Sequence, residues 1–284
     1  MNNYGGVGKQ NNLSGFIGDI RDRDRLNRAM EGVDIVVHAA ALKQVQSCEY
    51  NPIETIKTNI MGSMNVIDAA LDHNVEKVLA VSTDKAVSPL NLYGATKMCM
   101  EKLFINANNY RGKERKTKFC CTRYGNVADS RGTIVPIWRE MIIKKETIPI
   151  TNINATRFWI GMKQANEFVA NVIEMMDYLN GGEIFVPNIP SVRVMDVFHA
   201  LAPMANFSVI GDRIGDKLHE TLISDEESKH TTKIKDIFVV YPNKPLWKYT
   251  PPEGDSVNMP LGFVSNSNRF LSENEIKKSL EENY

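Results

Sequence analysis

The chain has 284 residues, 43% of them hydrophobic and 24% charged, a composition that excludes disordered and fibrous proteins and suits one large core or two modest domains. Lysine plus arginine number 34 and aspartate plus glutamate also 34, so no global field is available for nucleic acid or an anionic membrane, and an anionic ligand needs a local site. No apolar run approaches the roughly 20 residues of a membrane-spanning helix, and the start MNNYGGVGKQNN lacks the apolar stretch of a secretory signal, so a cytoplasmic protein is expected.

After the polar first twelve residues, Val33 to Ala41 (VDIVVHAAA) reads as a buried strand. Pro52 to Asp72 follows as an amphipathic helix, with Ile56, Ile60, Ile67 and Leu71 near one stripe. Lys77 to Thr83 (KVLAVST) is a second strand, Gly94 to Tyr110 a second helix with Met98, Leu103 and Ala107 on one side, and Phe119 to Gly125 (FCCTRYG) a third strand. Apolar strands alternating with crossover helices specify a parallel sheet covered by helices. Beyond about residue 140 the alternation loosens into IPIT, EIFVP, FSVIG and IFVVYP, separated by proline and glycine, which predicts a smaller mixed cap. The expected division is a core over 13–135 and a cap over 136–284, with some segments returning to the core. Ser272 with Glu275 three residues on is a capping box that opens a charged, half-exposed final helix through Leu280.

Cys48, Cys99, Cys120 and Cys121 have no C-x-x-C spacing, and Cys120 and Cys121 alternate across the third strand, so reduced thiols are expected. The five histidines form no metal-ligand pattern, and no metal is expected.

The most informative stretch is Ser82 to Lys97, STDKAVSPLNLYGATK, which runs from the carboxyl end of the second strand into a helix, the edge where ligands bind in α/β sheets. Tyr93 and Lys97 are four apart and share a helix face. An ammonium beside a phenol favours phenolate, which makes Tyr93 a general-base candidate.

The Tyr93-x-x-x-Lys97 pair, the Ser/Thr-ended strand before it and the earlier HAAA resemble an extended short-chain dehydrogenase/reductase, a family that acts on nucleotide sugars with NAD(P). The resemblance implies that Tyr93 takes the sugar 4-hydroxyl proton while Lys97 contacts the nicotinamide ribose. Asp84 and Lys85 after Thr83 resemble the UDP-N-acetylglucosamine 4,6-dehydratases of the CapD-like polysaccharide-biosynthesis group. In that reading Thr83 orients the 4-hydroxyl, Asp84 is the acid for the leaving 6-hydroxyl and Lys85 the base for the carbon-5 proton. Without that context, Asp84 and Lys85 read as a surface ion pair. Retention of Tyr93 and the absent membrane segment favour the C5-inverting type.

The resemblance extends from about Gly15 almost to the C-terminus. GFIGDIRD implies that Asp19 and Ile20 meet the adenine. HAAALKQV implies that Ala39, Ala40 and Ala41 lie by the cofactor pyrophosphate, with Lys43 reaching the active site or phosphates. Asn59 matches a helix asparagine that supports the catalytic strand. RYGNVADSRGTIVP implies that Asn126 and Arg131 approach the substrate diphosphate. TRFWI and GDRIGDKLHE resemble substrate-cap motifs and give Arg157, Arg213 and Glu220 as substrate contacts, with His219 a packing residue and Phe158 and Trp159 cap core. The expected cofactor is NADP, with NAD the alternative, and a homo-oligomer is the family expectation.

A complete member opens with a strand and a glycine-rich turn that lets the backbone approach pyrophosphate at a helix N-terminus. The only trace here is Tyr4-Gly5-Gly6-Val7-Gly8-Lys9, so the first βαβ unit is expected to be missing. The expected fold is therefore α/β, a Rossmann-like parallel sheet truncated at its N-terminus, with a smaller C-terminal substrate cap. A late start, a split gene in which a separate chain supplies the unit, and a decayed homologue are the three explanations. Gln44, Ala155 and Ala128-Asp129 are smaller departures from the group's pattern. The leading expectation is a hydro-lyase that makes a UDP-4-keto-6-deoxy sugar for surface glycans. The rivals are a nucleotide-sugar epimerase or reductase, and a non-catalytic structural subunit.

Overall fold

The computed structural model describes residues 14–281 apart from 113 and 131; the Tyr4 to Lys9 trace and Arg131 lie outside the described residues. In chain order, α1 (Arg23–Met30) leads into β1 (Ile35–His38) and α2 (Val45–Tyr50). The predicted 52–72 helix follows as α3 (Pro52–Ile56), a π-helical turn (Lys57–Met61) and α4 (Gly62–Asp72). Next come β2 (Lys77–Val81), a 3-10 turn (Asp84–Ala86), α5 (Leu92–Ala107), β3 (Lys118–Thr122), β4 (Asn126–Val127) and α6 (Ile134–Ile143). They are followed by β5 (Ile148–Ile150), β6 (Thr156–Ile160), α7 (Met162–Met175), β7 (Ile184–Pro187), β8 (Ser191–Arg193), α8 (Val194–Leu201) and β9 (Phe207–Val209). The chain ends through β10 (Thr221–Ile223), α9 (Asp225–Ser228), β11 (Thr231–Ile234), β12 (Ile237–Val240), β13 (Asp255–Ser256), β14 (Phe263–Val264) and α10 (Glu273–Glu281).

A seven-stranded sheet in the order β1-β2-β3-β7-β12-β11-β13 is the frame. Strands β1, β2, β3 and β7 are parallel, and β12, β11 and β13 add antiparallel. Parallel strands must bury both faces, and the residues alternate accordingly. Val78, Ala80, Phe119, Cys121, Ile184 and Val186 pack with Val66, Ile67, Met100 and Phe104 of α4 and α5. Leu79, Cys120 and Phe185 pack on the other face with Phe168, Val172 and Met176. The split of Cys120 and Cys121 between faces agrees with the alternation read from KFCCTRYG, and all four cysteines are free thiols. This is the Rossmann-like α/β sheet.

Two of the four short segments beyond residue 140 lie in the main sheet. EIFVP is β7, paired with β3, and IFVVYP is β12, paired with β7. Short apolar runs show that a strand forms but not which sheet it joins. IPIT and FSVIG do pair with each other, as β5 and β9, and β4, β6 and β8 form a second small sheet. These elements enclose a separate core with Trp138, Trp159, Phe198, Ile276 and Leu280. Trp159 is therefore cap core as expected, whereas Phe158 is buried in the core beneath the main sheet.

The first strand is shorter than its sequence run, because Ala39 to Ala41 leave the sheet at its carboxyl edge. Ser272 and Glu275 form the expected reciprocal contacts ahead of α10. Among the described residues, no helix is long and apolar enough to cross a membrane.

Candidate active site

Strand β2 ends at Val81 and hands the chain directly to Ser82, Thr83, Asp84 and Lys85. Its pairing with β3 persists past the strand, since Ser82 N–H donates to Thr122 O at 2.7 Å and Asp84 N–H to Tyr124 O at 3.2 Å. Thr83 then caps the 3-10 turn by accepting from Lys85 N–H at 3.3 Å. Asn91 opens α5 in the same manner, accepting from Gly94 N–H at 2.8 Å. Two capped helical starts thus bring Thr83, Asp84, Lys85 and Tyr93 to the carboxyl edge of the sheet.

Asp84 is 1% exposed, and its Oδ1 accepts from the Thr83 hydroxyl at 2.9 Å and from Lys85 Nζ at 3.1 Å. Burial pushes the Asp84 carboxyl above its ordinary range, against the pull of Lys85. Burial works against the Lys85 ammonium as well, but Asp84 and Glu220 outweigh it and hold it protonated. The phenol of Tyr93 is half-buried and pushed up to about 12, chiefly by burial, with Lys85 opposing most strongly and the Thr83 hydroxyl helping.

Lys97 differs from expectation. Its Nζ donates to the Val81 carbonyl at 2.5 Å and lies 3.2 Å from Met100 Sδ, and burial lowers it to about 8. The cation that favours the Tyr93 phenolate in this arrangement is Lys85, not Lys97. A shared helix face determines neighbourhood, whereas the reach of a four-carbon side chain determines contact.

Asn59, 1% exposed and inside the π turn, grips the stretch after β1. Its Oδ1 accepts from Leu42 N–H at 2.8 Å, and its Nδ2 donates to Leu42 O at 2.9 Å and to Thr96 Oγ1 at 3.0 Å. The 39–42 segment and α5 are thereby fixed to each other. Ala39 and Ala40 are exposed along that segment, Ala41 is half-buried, and Lys43 is exposed beside it. Ile20 rests on Gly62, where a Cβ would lie 2.6 Å from Ile20 Cδ1, so a larger residue there would make the Ile20 side chain shift. Arg21 holds the exposed Asp19 carboxyl down to about 2 and pairs with Glu54 as well.

These residues test the fit of a dinucleotide. The buried Lys97 ammonium one turn from Tyr93, the open backbone over 39–40 and the Asp19-Ile20 corner suit the nicotinamide and adenine ends. The expected pyrophosphate trace is outside the described residues.

The expected diphosphate contacts separate. Asn126 and Arg157 line one shallow recess together with Thr133, Trp159 and Val192. Arg157 Nη1 donates to the carbonyls of Thr156 at 2.8 Å and Leu218 at 3.1 Å. Arg213 is exposed. Glu220 is instead 2% exposed with Oε1 3.0 Å from Lys85 Nζ, so it stands against the proposed base. His219 hydrogen-bonds Thr156 Oγ1 through Nδ1 at 2.9 Å, in keeping with a packing role.

Three residues near this edge escaped the sequence reading. Arg123 and Glu101, both 2% exposed, pair behind Ser82, and Lys217 Nζ donates to Val87 O at 2.5 Å. One arginine inside an apolar strand run was the available signal for Arg123, but its partners are distant in sequence.

A family model described as polysaccharide biosynthesis protein matches residues 4–242. A protein of Campylobacter jejuni subsp. jejuni named UDP-N-acetylglucosamine 4,6-dehydratase (inverting) is 49% identical over 229 residues, 80% of this chain and 67% of that protein. A UDP-glucose 4-epimerase of Rickettsia rickettsii is 35% identical over 280 residues, 95% of this chain and 78% of that protein. The X-ray structure of Pen from Bacillus thuringiensis matches with a TM-score of 0.85 at 32% identity, covering 94% of this chain and 81% of that one.

Proposed function

The chain belongs to the polysaccharide biosynthesis protein family, and on that premise we propose that it is a nucleotide-sugar 4,6-dehydratase, removing water from UDP-N-acetylglucosamine with inversion at carbon 5 and with bound NADP. The observation that carries the reading is Lys85 held on the buried Asp84 and facing the phenol of Tyr93.

A nicotinamide held here would supply the hydride chemistry, accepting hydride from carbon 4 and giving it back at carbon 6, so that it would not be consumed. Tyr93 takes the 4-hydroxyl proton, with Thr83 orienting that hydroxyl. The resulting 4-ketone acidifies carbon 5, and Lys85, an ammonium in the resting site, removes that proton only after it has given up its own to solvent. Asp84, kept neutral by burial, protonates the leaving 6-hydroxyl. Water leaves in that step and the proton from Tyr93 restores Asp84; as carbon 6 is reduced, a proton adds to the opposite face of carbon 5, which sets the inversion, and Lys85 releases the proton it took. Asn126 and Arg157 hold the diphosphate, the arginine by its planar fork. Arg131, Arg213 and Lys43 complete the anion site. Asp19, Ile20, Ala39, Ala40, Ala41, Asn59 and Lys97 hold the dinucleotide.

A nucleotide-sugar substrate and a nicotinamide cofactor fit a cytoplasmic location, and a homo-oligomer is part of the proposal. Among the described residues β1 is an outer strand with Ile35 and Val37 exposed, and a strand from a separate chain would add there.

The test is mass spectrometry of UDP-N-acetylglucosamine incubated with the full chain and NADP. Loss of one water supports the reading. The second reading, a 4-epimerase, which is the name of the Rickettsia relative, predicts an isomer of unchanged mass. No conversion overturns both.

A further inference from the structure

Glu220 is fixed by its backbone before its side chain makes any contact. Its N–H donates to Ser265 Oγ at 2.9 Å, and its carbonyl accepts from Ser265 N–H at 2.8 Å. Ser265 Oγ in turn shares a 2.7 Å hydrogen bond with Thr156 Oγ1 of β6. From this clamp the carboxylate reaches the site wall opposite β2, with Oε1 3.0 Å from Lys85 Nζ, while Asp84 Oδ1 holds the same ammonium at 3.1 Å. Two buried carboxyls therefore share one ammonium.

The two carboxyls are not equivalent. Asp84 pairs directly with Lys85, and Lys217 also acts on it electrostatically, together with Thr83, Tyr93 and Glu220. Glu220 faces Lys85, Arg157 and Lys217, the last with Nζ 3.8 Å from Oε2. Two like charges this close and this buried favour protonation of one of them, and the carboxyl with more cations keeps the charge.

We propose that Glu220 is a positioning residue that holds the Lys85 ammonium from the cap side and, by carrying the negative charge of the pair, leaves Asp84 as the carboxyl that keeps its proton. The inference rests on the dehydratase reading, in which Asp84 is the acid, and adds how that acid stays neutral and keeps its proton. Burial raises the Asp84 carboxyl, and the cations around Glu220 outweigh its own burial and lower it, in the same sense. No bond to substrate is assigned to Glu220, in contrast to the role expected from its motif.

The test compares wild type, Glu220→Gln and Glu220→Asp as NADP-loaded full chains. In Glu220→Gln, Asp84 must ionise to neutralise Lys85, so the basic limb of the kcat/KM profile for water loss moves down by at least about one pH unit. KM for UDP-N-acetylglucosamine changes less than about threefold, and turnover at neutral pH falls at least about tenfold. Glu220→Asp keeps the charge, so its limb stays with wild type although turnover falls. A purely structural role lowers turnover and melting temperature in both variants and leaves the limb in place, which overturns the inference.

A second readout separates failure of the inference from failure of the functional reading. Carboxyl ¹³C NMR of the aspartates in wild type and Glu220→Gln, with Asp84→Asn for assignment, requires no turnover. Asp84 titrating lower in Glu220→Gln supports the charge assignment even if the wild type loses no water, and an unmoved Asp84 refutes it even if it does.

Discussion

Arg123 and Glu101 form a two-pronged ion pair inside the protein, Nε 3.0 Å from Oε1 and Nη2 2.6 Å from Oε2, with both side chains 2% exposed. The pair joins β3 to α5, the helix that carries Tyr93 and Lys97. Ser82 Oγ donates to Glu101 Oε1 at 2.5 Å, while Arg123 Nη1 donates to Leu222 O at 2.8 Å and to Glu227 Oε2 at 3.0 Å. The end of β2, helix α5 and the segment around β10 are thus tied together through one guanidinium and its partner carboxylate.

Arg123→Met should therefore destabilise the protein by about 3–5 kcal/mol, because Glu101 is left charged and unpaired in the interior. Urea unfolding measures it. The double variant Arg123→Met, Glu101→Leu should lose less than the sum of the single changes, since it leaves no orphan charge of that pair.

Asp84→Asn and Lys85→Ala should each reduce water loss by about 10²–10⁴-fold, the usual contribution of a positioned acid or base. Circular dichroism and the melting temperature should show that both variants fold. Normal turnover in Lys85→Ala would identify another group as the base.

Gly94 packs beneath the turn at Lys85, and a Cβ there would overlap the Lys85 carbonyl oxygen, a backbone atom held by the turn. Gly94→Ala should push α5 away from the turn at a cost of about 1–3 kcal/mol. Turnover should fall further than the melting temperature implies, because Tyr93 is the neighbouring residue. A thermal melt and an initial rate on one preparation test this.

His38 is 4% exposed, stacks on Phe104 and hydrogen-bonds Ser63 Oγ at 3.0 Å. Burial, aided by the charge of Lys97, lowers its pKa from 6.5 to about 4. Between those values the unfolded chain binds a proton that the folded chain lacks, so stability falls as pH drops from 6.5 toward 4, by about 3 kcal/mol at most. Urea midpoints at pH 7 and pH 5 should show the loss in wild type and a smaller one in His38→Gln.

The parallel frame was legible because β2 and β3 are short runs buried on both faces, between helices whose apolar residues recur at helical spacing. The candidate site stretch was legible for a related reason. Ser82 to Lys97 is contiguous, so the order strand end, turn, helix start places Asp84, Lys85 and Tyr93 at one sheet edge before any distant contact is known. The destination of EIFVP and IFVVYP was not legible, because their composition suits either sheet.

Side-chain partnership is where the one-dimensional reading stopped. Tyr93 and Lys97 share a face by spacing, yet Lys97 turns to Val81 O, and Lys85 is the cation that acts on the phenol. Glu220 lies 135 positions from Lys85 in number and Glu227 lies 104 from Arg123, and no local pattern links residues so far apart. By itself the sequence determined which backbone elements form and which chemical groups stand at the end of β2, since both depend on neighbours along the chain. Only the tertiary structure decided which carboxylate meets which cation, because burial and Coulomb interaction depend on distances in space that folding alone creates.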